Sequence, residues 1–255
     1  MSLPVISVVT VCRNAADTIG PTMRSVMGQD YPNIEYIIID GASTDGTQQI
    51  IECYLESAKA IMQPSRHITY ISEPDKGIYD AMNKAIRLAT GQWINFMNSG
   101  DTFANEHVLT DIFAQGGSLE SAGTRQSSIR VIGGNTINYY ADGHEEIHHA
   151  EPATVIPGRL PFSHQASFVS ISPDSFCFGL SYKMAADYKL FYDIYHAYGS
   201  ESFLILDLPI ARYRQEDSLT MNPANQRKLK GEYLRIQSAH RTWRWWKEYL
   251  KWRLL

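Results

Sequence analysis

The residues best suited to chemistry in this chain are carboxylates at the ends of apolar runs. Residues 93–101 read W-I-N-F-M-N-S-G-D: Trp93, Ile94, Phe96 and Met97 suit a buried strand, and Asn98-Ser99-Gly100-Asp101 then turns the chain. A single Asp just past a strand, beside a flexible Gly, can reach a divalent cation whose other positions go to diphosphate oxygens and water, the ligands hard cations prefer. A second acid, Asp40, ends the run E-Y-I-I-I-D and is followed by G-A-S-T-D-G-T. If the strands are parallel, both acids share one sheet edge with the polar Arg13-Asn14 that follows V-I-S-V-V-T-V at residues 5–11. Open α/β sheets bind ligands at that edge, and a nucleotide crevice is the chemistry this pattern suits. A turn Asp bonded to its own backbone is the plainer alternative for Asp101.

The phosphate-binding devices of other nucleotide proteins are missing. No G-x-x-x-x-G-K-[ST] occurs, and no G-x-G-x-x-G follows the first strand, which excludes a P-loop NTPase and argues against a dinucleotide-binding Rossmann domain. Phosphate is then left to metal and side chains.

The apolar pattern supplies the elements that must position these groups. Residues 5–11 and 35–40 are nearly continuous apolar runs, as in parallel strands covered on both faces. A helix capped by Asp17 or Thr18, with Pro21 in its first turn, joins them into a β-α-β unit. A helix from Thr47 to about residue 62, a strand at 67–72, a loop at 73–77 and a helix at 78–90 closed by Gly91 complete the first half. Further on, Asn105 is expected to cap a helix to about residue 115, with 118–128 a surface loop and strands at 129–133 and 166–172. A helix at 185–198, a last strand at 203–208 and one long C-terminal helix after a polar segment at 215–225 finish the chain. The fold class is α/β.

Composition bounds the rest. With 255 residues and 44% hydrophobic content, the chain can bury a substantial core, and a net charge of −4 argues against a nucleic-acid partner. Cys12, Cys53 and Cys177 show no C-x-x-C spacing, so neither a disulfide framework nor a zinc site is expected, and a reducing compartment fits. His144, His148 and His149 lack a metal-binding spacing and read as solvated loop residues. No signal peptide and no apolar run of about 18 residues is visible, so neither export nor a membrane span is expected.

Three blocks carry a resemblance: S-V-V-T-V-C-R-N, then Q-D-Y-P-N-I-E-Y-I-I-I-D-G-A-S-T-D-G-T, then E-P-D-K-G-I-Y-D-A-M-N-K-A-I-R-L-A-T-G-Q-W-I-N-F-M-N-S-G-D. In this order and spacing the chain resembles the family-2 inverting glycosyltransferases of GT-A fold over residues 5–215, and among them the bacterial members that build exopolysaccharide, colanic-acid or O-antigen units. The resemblance implies a GT-A, Rossmann-like fold with a mostly parallel mixed sheet flanked by helices. It implies a nucleoside-diphosphate-sugar donor, a saccharide or lipid-linked oligosaccharide acceptor, a Mn²⁺ or Mg²⁺ cofactor, and hexosyl- or N-acetylhexosaminyl transfer. Carried onto this chain, Thr10 and Arg13 line the nucleoside pocket and Asp40 bonds the base. Lys76 and Asn83 lie near base or phosphates, Ser99 lies beside the donor, and Asp101 takes the metal. The chain departs from the pattern where Asn98 and Gly100 replace further acids of the metal motif, where Gly41 replaces a second Asp, and where Q-E-D-S at 215–218 replaces a glycine-rich closing loop.

The same resemblance marks F-S-H-Q as an acceptor-side segment, with His164 touching sugar or acceptor, or else bonded to backbone as a loop histidine. It also makes Asp187, in K-M-A-A-D-Y-K-L, the general base. The residues agree: Asp187, Leu190, Phe191, Ile194 and Tyr198 share the apolar face of one helix, with the acid in its first turn, where surface acids do not normally point. An Asp complementing the helix dipole is the plainer reading. The aromatics between residues 176 and 198 are expected to be mostly core.

Residues 216–255 are read as a helical tail beyond a catalytic domain at 1–215. On its last helix Arg241, Arg244, Lys247 and Lys251 share one face and Trp243, Trp246, Leu250 and Leu254 another. That pattern suits an amphipathic helix lying on an anionic membrane surface, peripheral on the cytoplasmic face, with docking on the domain or a homodimer as the alternative. A transferase for a soluble or protein acceptor, and a catalytically silent sugar-nucleotide or glycan-binding protein, are the rival functions.

Overall fold

A computed structural model describes residues 3–59, 66–140, 142–171, 176–214, 223–241 and 243–254. The Q-E-D-S segment lies outside them, and so do the side chains of Arg244 and Leu254.

The first half alternates strand and helix: β1 (Ile6–Cys12), α1 (Ile19–Met27), β2 (Ile34–Asp40), α2 (Thr47–Lys59), β3 (His67–Ser72), α3 (Ile78–Leu88) and β4 (Trp93–Phe96). The second half is β5 (Thr102–Phe103), α4 (Val108–Phe113), α5 (Ser118–Ser121), β6 (Val131–Tyr139), β7 (Glu145–His148), β8 (Ser167–Ser170), α6 (Ala186–Tyr198), β9 (Phe203–Arg214), α7 (Pro223–Gln237) and α8 (Trp243–Leu254). One sheet runs in the order β3-β2-β1-β4-β8-β6-β9-β5, with β7 paired to β6. The β3-β2-β1-β4 half is parallel, and β8 joins it antiparallel to both β4 and β6.

Side-chain alternation along the strands builds two cores. Ile6 and Val8 of β1 face one core with α1 and α4, while Val9 and Val11 face the other with α3, α6 and Ile236 of α7. Being covered on both faces is why β1 and β2 are mostly apolar rather than alternating. Registers Cys12↔Asp40 and Asp40↔Ser72 bring the strand ends to a common edge. The turn of residues 98–101 joins that edge, because Met97 and Ser99 donate to Val9 and Val11 carbonyls.

Several expectations are corrected. Residues 118–128 are α5 and a short 3₁₀ turn rather than a loop, and the stretch with His144 and His148 is a hairpin, because Thr136–Tyr139 pair with β7. The last strand continues to Arg214, paired along β6. Most visibly, the single C-terminal helix is two, α7 and α8, separated by a 3₁₀ turn at Ser238–His240. Trp245 and Trp252 fold α8 back onto α7, their indole N–H groups donating to the Leu234 and Arg227 carbonyls at 2.8 and 3.1 Å. Among the described residues no helix is long and apolar enough to cross a membrane.

Candidate active site

A cleft of about 950 Å³ opens at the carboxyl edge of β1 and β4. Arg13, Ser99 and Asp101 border it on one side, His164 and Asp187 lie along it, and Leu229 and Tyr233 of α7 close the other side.

On the first side, two loops are stitched together by side chains. Asn14 (φ 51°) and Ala42 (φ 56°) both adopt the left-handed conformation, which non-glycine residues hold only where the surroundings fix it. Ser43 Oγ accepts from Asn14 N at 2.7 Å, Asn14 Oδ1 accepts from Thr44 N at 3.0 Å, and Asp45 accepts from Ala16 N at 3.0 Å. The Thr47 hydroxyl donates to the same Asp45, holding its carboxyl below the ordinary range.

Arg13 and Ser99 stand at the cleft, with Ser99 Oγ 2.9 Å from Thr18 Oγ1. The other four residues expected to meet the nucleotide are Thr10, Asp40, Asn83 and Lys76. Thr10 is fully buried, bonded to the Met97 carbonyl at 2.8 Å and to Tyr36, so it supports the β4 end rather than lining the pocket. Asp40 is also fully buried: Ser43 N, the Ser43 and Ser72 hydroxyls and the Cys12 thiol all point at its carboxylate, which therefore organises the loop and does not face the cleft. Asn83 exchanges two hydrogen bonds with the backbone of Phe178, fixing α3 to that segment. Lys76 is exposed on the loop before α3, outside the cleft lining.

The Asp101 turn is pinned from α1. The Thr22 hydroxyl accepts from Gly100 N at 3.1 Å and donates to the Asp101 carbonyl at 2.7 Å. Burial raises the Asp101 carboxyl to about 7, opposed by nearby His164 and a hydrogen bond from Gln165. Next to it, Asn98 Oδ1 is buried without a hydrogen-bond partner. An orphaned acceptor and a desolvated carboxyl short of positive charge fit the divalent cation that the resemblance implies. Among the described residues no three His, Cys, Asp or Glu side chains gather into a cage. A cation here would take most of its ligands from phosphate oxygens and water.

Asn98 also connects this turn to the opposite side. Its amide nitrogen lies 3.0 Å from His164 Nε2, which leaves the ring proton on Nδ1, the nitrogen facing Asp187 Oδ2 at 3.5 Å. Asp187 is the second residue of α6, with a side chain 16% exposed. Its Oδ1 accepts from Tyr188 N at 2.8 Å and from the Tyr79 hydroxyl at 3.3 Å. Burial first, and Asp187 second, push the Tyr79 phenol well above its usual range, so it stays protonated and can donate to Asp187. With Oδ1 engaged, Oδ2 is the oxygen turned toward His164. A carboxylate oriented in this way can accept a proton from a hydroxyl bound in the cleft.

Sequence reasoning missed Tyr79, Asn98 as the partner of His164, and the α7 residues. Tyr79 fits its helix's buried stripe, and nothing in that spacing tells that its hydroxyl reaches an acid on α6. The aromatics of 176–198 are mainly core, as expected: Phe178, Tyr188, Phe191 and Tyr192 are buried, whereas Tyr198 is exposed.

Comparison with known proteins agrees with this architecture. Staphylococcus aureus TarS residues 1–349, solved in complex with UDP-GlcNAc, superposes with a TM-score of 0.62 at 18% identity, covering 91% of this chain and 66% of that 1–349 chain. The mannosyltransferase PcManGT of Pyrobaculum calidifontis, solved with GDP-Man and Mn²⁺, gives 0.61 at 14% identity over 92% of this chain and 64% of that one. At such identities these likenesses show the fold, the GT-A architecture. In sequence, the chain is 37% identical over 105 residues to TuaG of Bacillus subtilis, a glycosyltransferase assigned by name to teichuronic acid biosynthesis. The match takes in 41% of this chain and 39% of TuaG. A PGL/p-HBAD biosynthesis glycosyltransferase of Mycobacterium bovis is 27% identical over 114 residues, 45% of this chain and 42% of that protein. The chain thus spans about two fifths of the length of these curated relatives. The family profile described as Glycosyl transferase family 2 matches residues 7–157, well over half the chain, and the chain belongs to that family.

Proposed function

We propose that this chain transfers a glycosyl unit from a nucleoside-diphosphate sugar to a hydroxyl of a saccharide acceptor, with inversion. The observation that carries this reading is one cleft holding two carboxylates of different character. Asp101 is desolvated beside an orphaned amide oxygen, and Asp187 is oriented by Tyr79 and His164. In one displacement the acceptor oxygen bonds to the anomeric carbon as the bond to the diphosphate breaks, and Asp187 takes the hydroxyl proton. Arg13 borders the donor side, and Ser99 and Asp101 hold the turn that faces it. A divalent cation held by Asp101 would neutralise charge on the departing diphosphate when bound.

The test is release of nucleoside diphosphate from a panel of UDP- and GDP-sugars with Mn²⁺ or Mg²⁺, with and without chelator. Turnover of one donor that chelator abolishes is the expected result. Binding without release from every donor would favour a silent sugar-nucleotide-binding protein.

The finer part of the proposal concerns location: α8 rests on the anionic cytoplasmic face of a membrane, and the acceptor is a lipid-linked saccharide. Trp243 is 84% exposed, Trp246 43% and Leu250 56%, while Trp245 turns inward at 7%. Arg241, Lys247, Lys251 and Arg253 are exposed around this strip, and the single acid of α8, Glu248, is turned to Lys230 of α7. Exposed indoles with exposed cations beside them suit the headgroup layer. Because α7 lines the cleft on one side and carries α8 on another, a membrane under α8 would lie beside the acceptor end.

A further inference from the structure

We infer that Glu232 of α7 is a positioning residue for the base, holding the entry of α6 so that Asp187 faces the cleft; this rests on the assignment of Asp187 above. Helix α6 begins without a cap of its own, since its N-cap residue is Ala185. The missing cap comes from α7. Glu232 Oε1 accepts from Lys183 N at 2.8 Å, and Oε2 accepts from Met184 N and Ala185 N at 3.0 Å each. Three successive amides around one carboxylate form an anion-binding concavity, and the helix dipole favours negative charge at this end.

The neighbours of Glu232 grip the same turn. Tyr233 stacks on Tyr188, the residue after Asp187, with ring centroids 4.1 Å apart and planes within 11°. Gln237 donates to the Tyr188 hydroxyl at 2.9 Å. Arg235 donates to the Ser181 carbonyl at 2.9 Å and lies 4.0 Å over the Tyr182 ring. Four side chains of α7 therefore hold residues 181–188, and Asp187 is the one acid in that segment. Its own contacts, Tyr79 and His164, come from other elements and align with it only when the first turn of α6 is fixed. A general base displaced by about 1 Å loses most of its effect.

Full-length Glu232→Ala and Glu232→Gln proteins test this in two ways. Amide hydrogen exchange needs no substrate: residues 183–188 should exchange at least about 10-fold faster in Glu232→Ala. Glu232→Gln, which keeps one acceptor oxygen, should fall between. Unchanged exchange overturns the inference. With the donor that the wild type hydrolyses or transfers, turnover should fall about 10-fold or more while UDP or GDP binding stays at the wild-type level. Wild-type turnover, or a loss shared equally by nucleotide binding, overturns the positioning role. Lys230→Ala, which removes a pair to α8 rather than to α6, should leave both readouts alone. If the wild type turns over no donor at all, the glycosyltransferase reading fails, and the exchange result still decides whether Glu232 holds the turn.

Discussion

His164 and Asp187 face each other across 3.5 Å, and this contact joins the loop before β8 to the first turn of α6. The imidazole is held on its other edge by Asn98, so the loop before β8, the turn after β4 and the first turn of α6 meet at one ring. His164→Ala should therefore lower turnover by roughly 10-fold to 10²-fold without weakening nucleoside diphosphate binding. His164→Asn, which keeps a donor near the Nδ1 position, should retain more. Steady-state kinetics beside calorimetric nucleotide titration checks both, and a loss confined to nucleotide affinity would remove His164 from the acceptor side.

Asp101 gives a pH signature. Its carboxyl ionises near 7 in the folded chain, against 3.8 ordinarily, because burial disfavours the charge. Between those values the folded state keeps a proton that the unfolded state has lost, so stability from this group is full below 3.8 and falls as pH rises through 7. A cation needs the ionised form and should restore what is lost. The thermal shift given by Mn²⁺ with UDP should grow from pH 5.5 to pH 8, and Asp101→Asn should abolish that growth and flatten the metal-free pH dependence. A metal shift of equal size in Asp101→Asn would place the cation elsewhere.

Gly41 tests the loop after β2. A Cβ there would collide with the Asp75 carboxylate and crowd Arg13 at 3.3 Å. Gly41→Ala should thus turn the Asp75 carboxylate aside and shift Arg13, leaving stability within about 1 kcal/mol of wild type while weakening nucleotide binding through Arg13. Denaturant unfolding and UDP titration give the two numbers.

The two faces of α8 should behave differently. Trp245 is buried against α7, so Trp245→Ala should cost about 3–5 kcal/mol. Trp243→Ala with Trp246→Ala, both exposed, should leave the melting temperature near wild type and abolish co-sedimentation with vesicles containing phosphatidylglycerol. Vesicle binding that survives the double change would favour a protein partner or a second copy on this face.

The parallel half of the fold was legible because β1 and β2 are buried on both faces and so are mostly apolar rather than alternating. Asp187 was legible for a related reason: an acid repeating with Leu190 and Phe191 must point inward. The partners of Asp40 were not legible, since an acid at a strand end looks the same whether or not the hydroxyls of Ser43 and Ser72 surround it. Nor did sequence show that Thr10 bonds the Met97 carbonyl, far along the chain. The break after α7 left little mark, because Ser238-Ala239-His240 contains neither Gly nor Pro. Nor could sequence show Glu232, whose partners are backbone amides of another helix and carry no residue-type signal.

The central claim is that Asp187 accepts the acceptor's proton, and Asp187→Asn tests it most directly because the amide keeps the shape and can still accept from Tyr79 and Tyr188 N. The measurement is single-turnover transfer at saturating donor, beside nucleotide affinity and melting temperature of the same preparation. Transfer should fall by roughly 10² to 10⁴ with affinity and melting temperature essentially those of wild type. Retention of more than about a tenth of wild-type transfer, a loss far short of that range, would contradict it and move the base to another residue of the cleft.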